Sequence, residues 1–420
     1  MTGASNITNI VHPRLAEREH DLIQSKLRNA MAAHGLDALI LARGENVLYA
    51  TGYQSALAYF SGIPAGVTMA VLASDGTCHL ITSSLERHAA TALTPDSVSV
   101  VDFPSWVFID DGSEASRREG ASDVLPFAAS ELALEIIRSS KPDAVIGIEA
   151  DYITAPMWKY LTENSGEMTL KNGYAAIMES RRIKTPWEIG MMRHSAQFTE
   201  RAMHKLASEI EPGMYPSFVE NRIFEIGRAA DVDHMITDQL FVFAHGPYYS
   251  LSGTPRHFRL RKGDVVKVDG GFFQLGYTSD LARTCVVGGE PDDATRRVFD
   301  ALYYAFERGM EMIKPGVRLC DLYAEVRSLV ENSGVIPYYG RGHMGHSIGV
   351  GPMLEEYPPI SKNCKLEFEP GMVISYELSY FAAEGAPAVG GFNTEDSFVI
   401  TDTGHERFTH APNTLDYRNI

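Results

Sequence analysis

The sequence predicts an α+β protein in which a larger C-terminal catalytic domain follows a smaller α/β N-terminal domain. Three observations carry this. Helical and strand patterns alternate through the first third of the chain. Beyond a basic, Pro-punctuated segment, long helices alternate with strand-rich blocks. The chain has 420 residues, 45% of them hydrophobic and 22% charged, enough to bury two or three cores at roughly 150 residues per domain.

Taken in order, residues 16–34 form an amphipathic helix closed by Gly35, and residues 38–41 form an apolar strand. Residues 47–50 are a second short apolar run, read as a strand before Thr51-Gly52. Residues 67–73 and 78–82 form a hairpin across Ser74-Asp75-Gly76. A helix at 128–139 then leads to a strand at 144–149. The character changes near 165–175, which divides residues 1–170 from residues 171–420. Thr185 is a good N-cap, with Pro186 at the first helical position and Glu188 in the first turn, so a long helix is expected over 186–208. Helices at 217–230 and 293–313 and strand blocks at 265–287 and 372–400 complete the pattern.

Acidic residues outnumber basic ones, 54 against 37, for a net charge of −17. A surface this acidic repels phosphate backbones, so nucleic acid is not an expected partner. Residues 1–170 contain no phosphate loop and no G-x-G-x-x-G. The four cysteines are far apart, without the spacing of a zinc finger or a disulfide framework. The first residues lack the basic and apolar regions of a signal peptide, and apolar stretches such as 66–73 fall short of the roughly 18 residues of a membrane helix. A soluble cytoplasmic protein, with no membrane partner, is the expectation.

Chemistry concentrates in the C-terminal part. Asp269, in Val268-Asp269-Gly270-Gly271, and Asp280, in Thr278-Ser279-Asp280, lie on either side of a Gly-containing reversal. A hairpin there sets both carboxylates on one sheet face. Like charges so placed repel unless a cation or a shared proton intervenes. By themselves, Asp269 could simply end a strand and Asp280 pair with Arg283. His346 sits in Gly345-His346-Ser347-Ile348-Gly349, Glu377 ends the strand opened by Gly371-Met372, and Glu395 enters another strand after Gly390-Gly391. One imidazole and four carboxylates, all on or beside strands of one domain, suit Mn²⁺, Fe²⁺, Co²⁺ or Zn²⁺. About four negative charges match two divalent metal ions bridged by carboxylates.

These five residues and their surroundings resemble the pita-bread family M24, which includes methionine aminopeptidase, aminopeptidase P, prolidase and creatinase. Arg182-Ile183-Lys184-Thr185-Pro186-Trp187-Glu188-Ile189, Pro370-Gly371-Met372 and the stretch from Gly390 to Asp396 look like its recurring blocks. Gly35-Leu36-Asp37-Ala38-Leu39 and Tyr49-Ala50-Thr51-Gly52-Tyr53 look like the creatinase-type N-terminal domain. The resemblance implies a metal ligand set of Asp269, Asp280, His346, Glu377 and Glu395. It further implies a homodimer and a hydrolase that cleaves the C–N bond of a dipeptide or small amide with a water bridging the two ions. Glu377 is then the proton carrier, with His343 and His245 as helpers. The family's other histidines fall here on Ser252 and Met353, and His257 is a further nearby candidate. Arg283 is expected to pair with Asp280 or Glu395, and Tyr248, Tyr249, Tyr338, Tyr339 and Trp106 are candidate pocket aromatics. The alternatives are a metal-dependent lyase of the dimethylsulfoniopropionate-lyase type and a metal-free, creatinase-like hydrolase.

Overall fold

The structure is a computed structural model, described for residues 17–59, 66–104, 127–230, 232, 241–246, 258–351, 355–381 and 390–418. The chain packs as two compact units, Arg18–Arg181 and one containing Arg182–Ile420.

The first unit is built on a six-stranded mixed sheet. Its strands are β1 (Ala38–Leu41), β2 (Met69–Ala73), β3 (Cys78–Ser83), β4 (Ser99–Phe103), β5 (Val145–Ile148) and β6 (Thr169–Asn172), in the order β4-β3-β2-β1-β5-β6. The expected hairpin is present: β2 and β3 pair antiparallel. β5 runs parallel to both β1 and β6. Helices α1 (His20–Ala33) and α4 (Phe127–Ser140) match the sequence periodicity, although α1 starts at His20 rather than at residue 16.

One reading is corrected. Residues 47–50 belong to helix α2 (Gly44–Thr51), not to a strand. All eight of its residues are buried. A helix buried all round shows no 3.6-residue alternation, so a four-residue apolar run cannot be told from a strand by pattern. Gly52, at φ 79°, closes it in the left-handed conformation.

The second unit is organised by an eight-stranded antiparallel sheet. The strands that matter for the site are β8 (Val265–Gly270), β11 (Leu281–Val286), β12 (His343–Ser347), β14 (Val373–Tyr380) and β15 (Phe392–Ile400). They stand as neighbours in the order β12-β14-β15-β11-β8, with β7 (Val242–His245) beyond β8 and β13 (Glu356–Ser361) beyond β12. The expected long helix is α7 (Pro186–Glu209). Thr185 accepts from the Glu188 N–H, and the Glu188 carboxylate accepts from the Thr185 N–H. Helices α8 (Pro216–Arg228) and α9 (Asp293–Met312) also follow the pattern, whereas α10 (Leu319–Glu331) was not anticipated.

Alternation along the strands sorts the sheet's two faces. Val266 and Val268 turn away from Asp269 and join a core with Phe198 and Ala202 of α7 and Ile223 of α8. Tyr376 turns away from Glu377 and stacks on Phe306 of α9 with ring centroids 4.9 Å apart. The polar face opposite this packing carries the candidate ligands. Among the described residues, no helix is long and apolar enough to cross a membrane.

Candidate metal centre

The strand register brings the five predicted ligands together. Glu377 on β14 lies directly opposite Glu395 on β15. Ala282 on β11 lies opposite both Glu395 and Asp269, so Asp280, two residues earlier, projects from the same face. His346 on β12 faces Ser375 on β14. Two glycines let the backbones approach. A Cβ on Gly271 would stand 1.9 Å from the Ser279 carbonyl oxygen, and one on Gly345 would stand 2.2 Å from that of Ser375.

The result is two overlapping triads. Asp280, His346 and Glu395 form one, and Asp269, Glu377 and Glu395 the other; within each, one ligand atom per residue lies within 4.8 Å of the others. Glu395 belongs to both. His346 Nδ1 lies 3.1 Å from the Ser347 carbonyl oxygen, which can only accept, so the proton is on Nδ1. Nε2, 3.5 Å from Asp280 Oδ2, is thereby left with its lone pair for a metal. Ser375 Oγ stands 2.8 Å from the Asp280 carbonyl and 2.7 Å from Glu395 Oε1, fixing both chains.

The electrostatics divide the carboxylates. Burial, together with the neighbouring Asp269 and Glu377 charges, pushes Asp280 well above the usual carboxylate range. Burial and the charges of Asp280, Glu377 and Asp269 do the same to Glu395. Glu377 is equally buried, yet Arg341, His346 and His343 outweigh that and hold it below its ordinary value. The arrangement fits divalent ions on two counts. Oxygen ligands with one imidazole crowd where a divalent cation would relieve their repulsion. Asn393 Oδ1, buried beside them, has no hydrogen-bond partner among the described residues.

His343 is also at the site. Its Nδ1 lies 3.7 Å from Glu377 Oε1, and its ring is 5.8 Å from that of His346. Burial and the adjacent Arg341 lower its pKa. His245 is placed elsewhere. It pairs in register with Val266, which puts its ring on the helix-facing side of the sheet, stacked on Phe243 and 4.0 Å from Glu220 of α8. Ser252, His257, Met353, Tyr248, Tyr249 and Trp106 lie outside the described residues.

Arg283 departs from expectation. Its guanidinium pairs with Glu200 at 2.7 Å and Asp396 at 2.9 Å, not with the side chain of Asp280 or Glu395. It still supports the site by donating to the Glu395 main-chain carbonyl at 2.6 Å. Its β11 position turns the side chain away from Ala282 and the ligands, toward the Asp396 side of β15.

Three residues at the site went unread as participants. Arg341 makes an ion pair with Glu377. Lys267 Nζ is 2.7 Å from Asp269 Oδ2. Asn393 Nδ2 donates to Glu377 Oε2 at 3.0 Å, to Asp269 Oδ2 at 3.2 Å and to Glu395 Oε2 at 3.3 Å. The two-residue strand spacing from Lys267 to Asp269 and from Asn393 to Glu395 was the available signal. Arg341 and Ser379, both partners of Glu377, also line a cavity of about 310 Å³ together with Tyr338, Tyr339, Tyr380 and Phe381.

An antiparallel sheet carrying a buried carboxylate–histidine cluster with two overlapping triads defines the class: a metallohydrolase centre. Comparison with known proteins makes this specific. The profile of Metallopeptidase family M24 matches residues 190–402, and that of the Creatinase/Prolidase N-terminal domain matches residues 24–183. An uncharacterized peptidase, YqhT of Bacillus subtilis, is 25% identical over 391 residues, covering 93% of this chain and 98% of that protein. A Xaa-Pro dipeptidase of Pyrococcus furiosus is 26% identical over 302 residues, 72% of this chain and 83% of its own. The solved Xaa-Pro dipeptidase from Bacillus anthracis superposes with a TM-score of 0.73 at 22% identity, covering 94% of this chain and 99% of that one. The chain belongs to metallopeptidase family M24, and its C-terminal unit has the pita-bread fold. It is an enzyme, a metal-dependent hydrolase of a peptide-type C–N bond.

Proposed function

We propose that the protein cleaves a dipeptide or a similarly small amide, in the manner of a Xaa-Pro dipeptidase, with two divalent ions held by Asp269, Asp280, His346, Glu377 and Glu395. The observation that carries this is the sharing of Glu395 between two triads of ligand atoms. Mn, Fe, Co and Zn all suit the donor set. Bound there, the ions supply Lewis acidity toward the substrate carbonyl and acidify water toward neutrality.

The chain's own groups do the rest. Glu377, kept ionised by Arg341, His346 and His343, accepts a proton from the attacking water and delivers it to the leaving nitrogen. His343, 3.7 Å from Glu377, faces the same space and is placed to donate toward charge developing on the substrate. The cavity lined by Arg341 and Ser379, the partners of Glu377, is of dipeptide size, and the exposed Tyr338 stands at it. The family assignment favours hydrolysis over the lyase and the metal-free alternatives. A second copy of the chain as partner belongs to this reading on the resemblance, and a cytoplasmic setting on the unpaired spacing of the four cysteines.

The test is metal content by mass spectrometry under saturating ion, alongside Xaa-Pro dipeptide hydrolysis. About two equivalents are expected, with activity lost on chelation, regained on re-addition, and absent in Asp269→Ala together with at least one ion. Activity that survives chelation, or products formed without uptake of water, would overturn the reading.

A further inference from the structure

Two of the four cysteines, far apart in sequence, become neighbours in the fold. Cys320 is the second residue of α10, and Cys364 follows the turn that ends β13. The Cys320 N–H donates to the Cys364 carbonyl at 2.9 Å, and the Leu319 N–H donates to the Leu366 carbonyl at 2.9 Å. Arg318 and Glu367 extend this contact as an antiparallel bridge. Residues joined by such a main-chain bond hold their Cα atoms about 5.5 Å apart, inside the roughly 4.4–6.8 Å that a disulfide requires. Both thiols are free. Their access differs: Cys364 is 8% exposed, whereas Cys320 is half-buried and lines a cavity of about 290 Å³ with Tyr323, Arg327 and Lys362. Burial and the neighbouring Cys320 charge push the Cys364 thiol up. Burial pushes the remaining thiols, Cys78 and Cys285, up to about 12, which leaves them inert.

We infer that Cys320 and Cys364 are a redox modification site, at which a small-molecule disulfide of the glutathione class oxidises the pair to an intramolecular disulfide tying the start of α10 to the end of β13. The Cys320 thiolate, reached through its cavity, attacks one sulfur of glutathione disulfide and releases one glutathione thiolate. Arg327 and Lys362, among the cavity walls, suit the carboxylates of that co-reactant. Cys364 then gives its proton to solvent, and its sulfur displaces the second glutathione from Cys320. Two cysteine thiols are oxidised and one glutathione disulfide is reduced to two thiols. In a reducing compartment the pair stays a dithiol and closes only under oxidising conditions. The ring so closed contains Tyr338, Arg341, His343 and His346. Closing it removes freedom from the unfolded chain and so stabilises the fold around that segment. No metal ion and no substrate takes part, so the inference stands apart from the proposed hydrolysis.

The test incubates the reduced, folded full chain with glutathione disulfide, blocks remaining thiols, and maps the protein by mass spectrometry without reduction. The wild type is expected to lose the mass of two hydrogens and to yield a linked peptide pair joining Cys320 to Cys364, reversed by a dithiol reductant. Its unfolding temperature should rise by several degrees on oxidation. Cys364→Ser should stop at a mixed disulfide of Cys320 with glutathione, and Cys320→Ser should give no linked pair and no rise. A double variant, Cys78→Ser with Cys285→Ala, should cross-link as the wild type does. Wild-type protein that carries only mixed disulfides, links other cysteines or does not react overturns the inference, and this mapping needs no variant to fold. A linked pair that leaves the unfolding temperature unchanged overturns the stabilising role.

Discussion

Glu149 and Glu395 are both fully buried carboxylates, one in each unit, and their surroundings could hardly differ more. Glu149 accepts from the Ala42 N–H at 2.5 Å, the Arg43 N–H at 2.7 Å and the Asn46 amide at 2.5 Å. Three donors anchor the start of α2, and the carboxylate has no ligand work left to do. Glu395 sits instead among Asp269, Asp280 and Glu377, and it is their charges, added to burial, that raise its pKa. Burial alone therefore does not mark a metal ligand. A buried carboxylate met by neutral donors holds structure, and one met by other carboxylates fits a cation.

The strongest way to break that contrast is Glu395→Ala. Because both triads share this residue, the variant should lose both ions and at least about a thousandfold in kcat; a variant that keeps its metal would dissolve the distinction. Next in size, Glu149→Ala should leave metal content intact but strand the Ala42 and Arg43 amides. A loss of about 2–4 kcal/mol in denaturant unfolding of the N-terminal unit is expected, and a loss near zero would show that the three hydrogen bonds do not hold α2.

His245 adds a third way to bury an ionisable group, and the smallest effect. Burial lowers its pKa from 6.5 to about 4. The folded state thus binds its proton less readily than the unfolded state does. Its contribution is complete above pH 6.5 and is lost as pH falls from 6.5 toward 4. His245→Phe, which preserves the stack on Phe243, should make the loss of stability between pH 7 and 4.5 shallower by about 1–2 kcal/mol. His20 and His204 are lowered in the same way and remain in that variant, so some slope persists. An unchanged slope would mean that the ring is not held neutral.

The cluster of candidate ligands was readable because each is a carboxylate or imidazole beside a glycine-marked strand, in an order that resembles the family's. The helix–strand ambiguity at residues 47–50 was not resolvable from pattern, since burial on all sides removes the periodicity that distinguishes the two. Arg283 shows a different limit. Its partners, Glu200 and Asp396, are 83 and 113 residues away, and only the β11–β15 register and the docking of α7 reveal which carboxylates it meets. Arg341 is of the same kind: no local spacing ties it to Glu377, 36 residues on. Lys267 was different, because its two-residue offset from Asp269 was in plain view.

The register that pairs Ala282 with Glu395 joins segments more than a hundred residues apart, and neither triad is complete without it. Loop closure over such a distance is slow and comes late in folding. An emerging chain therefore carries Asp269 and Asp280 on a local hairpin long before it can grip an ion. Metal then acts on the finished sheet: it should lengthen the lifetime of the native state by slowing unfolding, and barely change the rate at which the sheet assembles.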